Sequence, residues 1–337
     1  MRPAEDVTAR PEAGSAPAVE VRDLRKAFGR EEALAGLSFR VERGEVFGLV
    51  GPDGAGKTTV LRILAGLLPP GSGTVRVLGL DPVRNGEAVK ERLGYMSQRF
   101  GLYGDLTVEE NVAFYADLYG VGREERRERE AELYRFSGLE PFRKRRAAAL
   151  SGGMKQKLGL CCALVHTPEL LLLDEPTNGV DPVSRRDFWK ILHRLLERGV
   201  TIVVSTAYLD EAERCHRMGL LHRGRLLAEG DAPSLRRLFP GSLLVVRTPQ
   251  ARRAAALLKE AGFQGVAAYG DRIHAAAPEG EEAAARMAKV LDGAGVPRGP
   301  VRPGEPSLED VFLVQVARGG GLQGGAPLRE NGASPFA

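Results

Sequence analysis

Cysteine is scarce in this sequence. Three occur in 337 residues, Cys161 and Cys162 side by side and Cys215 alone, and none has the CxxC or Cys/His spacing of a zinc site. The five histidines, His166, His193, His216, His222 and His274, are scattered without a metal-ligand pattern. No structural metal is therefore expected, and the thiols are expected to be reduced and packed, as in a cytosolic protein. Long apolar runs are also missing. Nothing approaches the roughly 18 consecutive apolar residues of a membrane-crossing helix, and Met1 to Val19 lacks the apolar centre of a signal peptide. Work at a membrane would then need other subunits to cross it. Neither sign of charge dominates: 48 basic residues against 44 acidic ones leave a net charge of +4, too evenly mixed to imply nucleic acid as a partner. The basic run Arg143-Lys144-Arg145-Arg146 reads as a solvated surface, with a membrane-facing or nucleic-acid role as the alternative. No internal repeat is found, which excludes solenoids and propellers.

What is present is an ordinary globular mixture, 43% hydrophobic and 27% charged, in a chain long enough for one large α/β domain and a small second one. The expected layout is a disordered tail over 1–17, a nucleotide-binding domain over 18–238, a small α+β domain over 239–317 and a disordered Gly-rich tail over 318–337. Strands are expected at Val19–Leu24, Leu37–Val41 and Glu45–Val50, and a helical insert at about 99–150. The runs Leu170–Leu173 and Val200–Val204 are apolar throughout, as in strands of a parallel sheet buried on both faces. Beyond Phe239-Pro240-Gly241 the pattern alternates: strand-like Leu243–Arg247, helical Ala251–Ala261, strand-like Arg272–Ala276, helical Glu281–Leu291. The fold class is thus α/β, a doubly wound core followed by a small α+β unit.

The chemistry is concentrated in short motifs. Gly51-Pro52-Asp53-Gly54-Ala55-Gly56-Lys57-Thr58 fits GxxxxGK[ST] and stands between a predicted strand and a predicted helix, with Thr59 continuing the helix. In that setting backbone N–H groups and the helix dipole cradle phosphates, Lys57 reaches the β- and γ-phosphates, and Thr58 holds Mg²⁺. The apolar strand ending in Asp174-Glu175 sets two carboxylates where a parallel strand meets the ligand crevice. Asp174 suits the Mg²⁺ shell, and Glu175 suits orienting and deprotonating an attacking water. These residues define a P-loop NTPase that uses Mg²⁺, without saying which; that its nucleotide is ATP is implied by the resemblance that follows.

Leu150-Ser151-Gly152-Gly153-Met154-Lys155-Gln156, followed by Leu170–Glu175 and then Asn178-Gly179-Val180-Asp181, resembles the ABC ATPases in signature, magnesium carboxylate and D-loop order. That resemblance implies an ABC ATPase core with an antiparallel β subdomain and a helical subdomain. It also implies a site shared between two subunits, in which Ser151, Gly152 and Gly153 bind the γ-phosphate of an ATP held by the opposite subunit and Asp181 belongs to the nucleotide-contacting D-loop. Gln98, in Tyr95-Met96-Ser97-Gln98, matches the Q-loop, which touches Mg²⁺ and the attacking water. Phe28 matches the aromatic that stacks on adenine, with a buried core Phe as its rival reading. Pro306-Ser307-Leu308-Glu309-Asp310-Val311-Phe312-Leu313 is similar to the ending of ATPase subunits from bacterial drug-resistance exporters, and the loop wording resembles the first half of two-cassette multidrug-export ATPases. The expected partners are a second ABC ATPase subunit, identical or different, and membrane permease subunits, with the chain peripheral on the inner face of the cytoplasmic membrane. The rival classes are a soluble ABC ATPase acting on nucleic acid or ribosomes, and a regulatory nucleotide-binding module with little turnover. One departure stands out: where the family places a histidine after Ser205-Thr206, this chain has Ala207. A helix is expected after the Val200–Val204 strand, and His216 is expected farther along it, as a surface or packing residue.

Overall fold

The computed structural model describes residues 16–98, 101–278 and 281–319; most of the two tails expected at 1–17 and 318–337 lies outside them. Strands β1 (Val19–Phe28) and β2 (Glu31–Val41) form an antiparallel pair, followed by β3 (Val46–Val50), the glycine loop and helix α1 (Lys57–Leu64). Strand β4 (Ser72–Val77) then joins the free edge of β1, completing a three-stranded antiparallel sheet ordered β2-β1-β4. The chain continues through α2 (Gly86–Lys90) and β5 (Leu93–Met96) into a helical unit of α3 (Val108–Leu118), α4 (Arg123–Ser137) and α5 (Gly152–Leu164). Thr107 and Glu110 form a reciprocal capping box that starts α3, a sequence signature that fixes the entry of this unit.

Returning to the core, the chain forms β6 (Leu170–Asp174), α6 (Pro182–Glu197), β7 (Thr201–Thr206), the single turn α7 (Leu209–Ala212), the hairpin β8 (Arg217–His222) and β9 (Arg225–Gly230), and α8 (Ala232–Arg236). The main sheet runs β5-β6-β7-β3-β8-β9, parallel except for β9. Every residue of β3, β6 and β7 is buried, which is why their middles are continuous apolar runs rather than alternating ones, with polar residues only towards the strand ends. Because β3, β6 and β7 are parallel and in register, Val50 lies opposite Thr206 and Asp174 opposite Ser205. The loops that follow the carboxyl ends of β3, β6 and β7 therefore converge at one edge, where ligands bind in open α/β sheets.

The last unit comprises β10 (Ser242–Arg247), α9 (Ala251–Glu260), β11 (Gln264–Tyr269), β12 (Arg272–Ala277), α10 (Glu281–Gly293), β13 (Arg302–Gly304) and α11 (Leu308–Gly319). Its sheet is ordered β11-β12-β10-β13. Leu244, Val246, Ile273 and Ala275 pack with Ala254, Leu258, Met287 and Leu291 on the face covered by α9 and α10. On the opposite face, Leu243 and Ala276 share a cluster with Val311, Phe312 and Val314 of α11, and with Val50, Met218 and Leu220 of the main sheet. Helix α11 thus lies between the two sheets, with apolar burial on both sides holding the units together.

Candidate functional site

The glycine loop wraps the start of α1. Lys57 opens that helix, and its Nζ donates to the carbonyls of Gly51 (2.8 Å) and Pro52 (3.1 Å). It also pairs with Glu175 Oε1 at 3.0 Å, both side chains being almost fully buried. Gly56 precedes it with φ 103°, and a Cβ there would sit 2.7 Å from Leu34 Cδ2 and 2.8 Å from the Ala33 carbonyl, so only glycine fits. One residue on, Thr58 Oγ1 donates to Asp174 Oδ1 at 3.1 Å.

The two carboxylates have different surroundings. Asp174 ends β6 and is 1% exposed; its Oδ1 also accepts from Ser205 Oγ at 2.7 Å, while its Oδ2 is buried with no hydrogen-bond partner. Burial pushes this carboxyl above the usual range, against the hydrogen bonds from Ser205 and Thr58. A buried oxygen without a partner beside a threonine hydroxyl is a fit for a divalent cation, which would satisfy the lone pair and favour the ionised form. Glu175 turns the chain with φ 48°, a conformation costly for a residue with a Cβ. It is held there by its N–H, which donates to Ser205 Oγ at 3.0 Å, and by Gln98 Nε2 and Asn178 Nδ2, which donate to its Oε2 at 3.1 and 3.0 Å.

A cleft of about 690 Å³ opens over this cluster, lined by Phe28, Asp53 to Thr59, Gln98, Glu175 and Arg223 among others. Phe28, at the end of β1, is 51% exposed and faces the cleft, so the core reading of this residue is corrected. Lys26 Nζ stands 5.5 Å from its ring centroid. Arg223, in the β8–β9 turn, reaches the cleft from a segment with no motif of its own.

Ser151, Gly152, Gly153 and Asp181 do not line the cleft. Ser151 caps α5, accepting from Met154 N at 3.3 Å. Asp181 caps α6, accepting from Val183 N and Ser184 N at 3.1 and 2.9 Å, and hydrogen bonds from the Ser184 side chain and from these backbone groups hold its carboxyl below the usual range. The two helix starts meet at Gly153, where a Cβ would lie 2.6 Å from Ser184 Cβ. The chain therefore carries a phosphate-loop cleft and, apart from it, a paired helix N-terminus with exposed Ser151 and Gly152.

A buried polar cluster that sequence reasoning missed braces the turn at Glu175. Glu211 of α7 is 1% exposed and accepts from Thr206 Oγ1 at 2.7 Å and from Thr177 Oγ1, while Arg185 Nε lies 3.3 Å from its Oε1. The Arg185 guanidinium stacks over Tyr208, 4.3 Å from its ring centroid. Thr177 follows Glu175 by two residues, and the Thr206 carbonyl accepts from Gly51 N at 3.2 Å, so Glu211 touches the segments that hold both motifs. Ala207, 6% exposed, contributes no polar side-chain atom there. His216 is exposed, as expected of a surface residue, but its place on the helix is corrected: α7 ends at Ala212, and His216 stands just before β8, its Nδ1 accepting from Val46 N at 3.2 Å. That is the opposite end of β3 from the glycine loop.

The family described as "ABC transporter" matches residues 34–178. The chain is 52% identical over 233 residues, 68% of its length, to "Probable multidrug ABC transporter ATP-binding protein YbhF" of Escherichia coli (strain K12), but it spans only 40% of that relative. It is 35% identical over 299 residues to daunorubicin resistance ATP-binding protein DrrA3 of Streptomyces coeruleorubidus, covering 88% of this chain and 95% of that one. Among solved structures, the dimeric post-hydrolysis structure of the ATP-binding cassette MJ0796 bound to ADP and Pi aligns with a TM-score of 0.57 at 29% identity, covering 63% of this chain and 98% of that one. Likeness along nearly the whole of a drug-resistance ATP-binding protein, together with the convergence of Lys57, Asp174 and Glu175, places this chain among the ATP-binding proteins of ABC transporters.

Proposed function

We propose that this chain binds MgATP in the cleft above Lys57, hydrolyses it with Glu175, and couples that turnover to export of a small molecule through separate membrane subunits. The observation that carries the reading is the contact of Lys57 Nζ with Glu175 Oε1 at 3.0 Å, beside Thr58 and Asp174. Phe28 offers a flat face to the adenine, and Gly51 to Thr59 offer backbone donors and the α1 dipole to the phosphates. Thr58, Asp174 and Gln98 would hold the magnesium, whose chemistry is to neutralise charge on the transferring phosphoryl oxygens. Glu175 then accepts the proton of the attacking water, with Gln98 and Asn178 fixing its orientation.

Ser151 to Gly153 and Asp181 are set apart from the chain's own cleft, which supports their use in the cleft of a second ATPase subunit. Where membrane subunits dock, the best support is a recess of about 660 Å³ lined by Leu67, Tyr95, Leu118, Tyr119 and His166, in which Leu67 and Leu118 are 57% and 66% exposed. Among the described residues no helix is long and apolar enough to cross a membrane, in keeping with a peripheral subunit on the cytoplasmic face. Glu175→Gln, which leaves the cleft intact and removes the base, should trap ATP and accumulate a dimer in size-exclusion chromatography with light scattering. A monomer under conditions where ATP and Mg²⁺ are bound would contradict a shared site.

A further inference from the structure

The last sheet carries three arginines that nothing in the ATPase reading uses. Arg247 of β10 lies directly opposite Arg272 of β12, and Arg302 of β13 lies opposite Val245, two residues from Arg247 on the same strand. All three therefore project from one face of the sheet, at the end beyond Leu243 and Ala276, which α11 covers. Directly opposed residues stand about 4.5–5.5 Å apart at Cβ and diagonal ones about 7–8 Å, so the three guanidiniums can converge on one small group. They line a recess of about 560 Å³ whose remaining wall is Val245, Gly299, Pro300 and Pro303, with no acidic side chain. Gly299 N donates to the Arg247 carbonyl at 2.8 Å, which fixes that wall against β10.

Like charges facing each other across a strand pair are destabilising unless something neutralises them. Arg217 and Arg298 show how this chain pairs arginine elsewhere: Arg298 forks onto Asp292 at 2.9 and 2.7 Å, and Arg217 reaches Glu45 at 2.9 Å. Among the described residues, Arg247, Arg272 and Arg302 have no side-chain hydrogen bond or ion pair of this kind. Three unpaired forks around a concave, acid-free wall match the geometry of phosphate oxygens, which arginine binds in bidentate fashion. We propose that this recess is a second anion site, specific for a phosphate-bearing group of two or more negative charges, either a free small molecule or the headgroup of an anionic lipid. It is independent of the phosphate loop.

Magnesium-free pyrophosphate titrated calorimetrically into the full chain tests the free-molecule arm. Two sites are expected in the native chain, since the phosphate loop also binds it. Arg247→Ala with Arg302→Ala should remove one site or weaken it at least thirtyfold, whereas Lys57→Ala should remove the other and leave the arginine site in place. Because these arginines are exposed, the double variant should retain the native circular dichroism spectrum and ATP binding. Arg247→Lys with Arg302→Lys, which keeps the charge and loses the fork, should give intermediate affinity. Co-sedimentation with phosphatidylcholine vesicles doped with cardiolipin tests the lipid arm, with capture lost in the alanine double variant. Loss in either arm supports the site and identifies its source. Unchanged pyrophosphate stoichiometry together with unchanged vesicle capture would overturn it.

Discussion

The buried Glu211 cluster gives a prediction whose size follows from its contacts. Glu211→Ala removes the carboxylate that faces Arg185, which is only 9% exposed, and takes an acceptor from the hydroxyls of Thr177 and Thr206. Leaving one member of a buried ion pair uncompensated costs about 3–5 kcal/mol. The hydroxyls add less, because Thr206 Oγ1 keeps its bond from Tyr208 N at 3.0 Å and such contributions overlap. Against a total stability of roughly 5–15 kcal/mol, that is a large fraction. Glu211→Gln also removes the charge facing Arg185 but keeps the shape and one acceptor oxygen for its guanidinium, so its expected cost is smaller, about 1.5–3 kcal/mol.

Burial, outweighing the bonds from Thr177, Thr206 and Arg185, raises the Glu211 pKa. A raised folded-state pKa contributes stability that is full below the unfolded value and is lost as pH rises through the folded one. Wild type should therefore gain on Glu211→Gln as pH falls towards the ordinary glutamate range. Urea denaturation followed by circular dichroism and by tryptophan fluorescence measures each difference, with the slope checked for constancy. Trp189, the single tryptophan, sits on α6 with Arg185 and reports on this region. A cost below about 1 kcal/mol for Glu211→Ala would refute the reasoning, since it would mean that water reaches the cluster.

Other outcomes are expected at the site. Phe28→Ala should weaken ATP binding about two- to tenfold, as loss of an aromatic contact worth about 0.5–1.5 kcal/mol implies, without changing the melting temperature of a side chain already half exposed; equilibrium binding of a fluorescent ATP analogue checks it. Gly153→Ala forces a Cβ to within 2.6 Å of Ser184 and should cost about 1–3 kcal/mol by overpacking, relieved by adding Ser184→Gly, as a double-mutant denaturation series would show. Ala207→His should raise kcat by roughly tenfold to a hundredfold with little change in ATP affinity, if a charge-assisted hydrogen bond worth about 1.5–3 kcal/mol is restored in the transition state. An unchanged kcat would mean that Glu175 and the loop suffice.

Much of the core was legible because its signals are local. A strand buried on both faces must be apolar throughout, so Leu170–Leu173 announces itself, and the loop from Gly51 to Thr58 needs glycines at fixed offsets. The start of β2 at Glu31 was not legible, since its first residues are charged and exposed. Strands β4, β8 and β9 are short or polar-edged, and their register depends on partners far along the chain. The site divides in the same way. Asp174 and Glu175 could be read from the strand that ends in them, but Glu211 and Arg185 act by tertiary contact, and nothing in their spacing marks it. His216 falls off the helix expected after β7 because that helix ends after four residues, at Ala212.

The central claim is that Glu175 serves as the base of an ATP-hydrolysing site built on Lys57, Thr58 and Asp174. Single-turnover hydrolysis of MgATP by purified wild type and Glu175→Gln, measured alongside equilibrium ATP binding, tests it most directly. A fall in the hydrolysis rate of at least about a hundredfold, as general-base removal implies, with ATP affinity held within about threefold, is the predicted result. Equal rates in the two proteins would contradict the account.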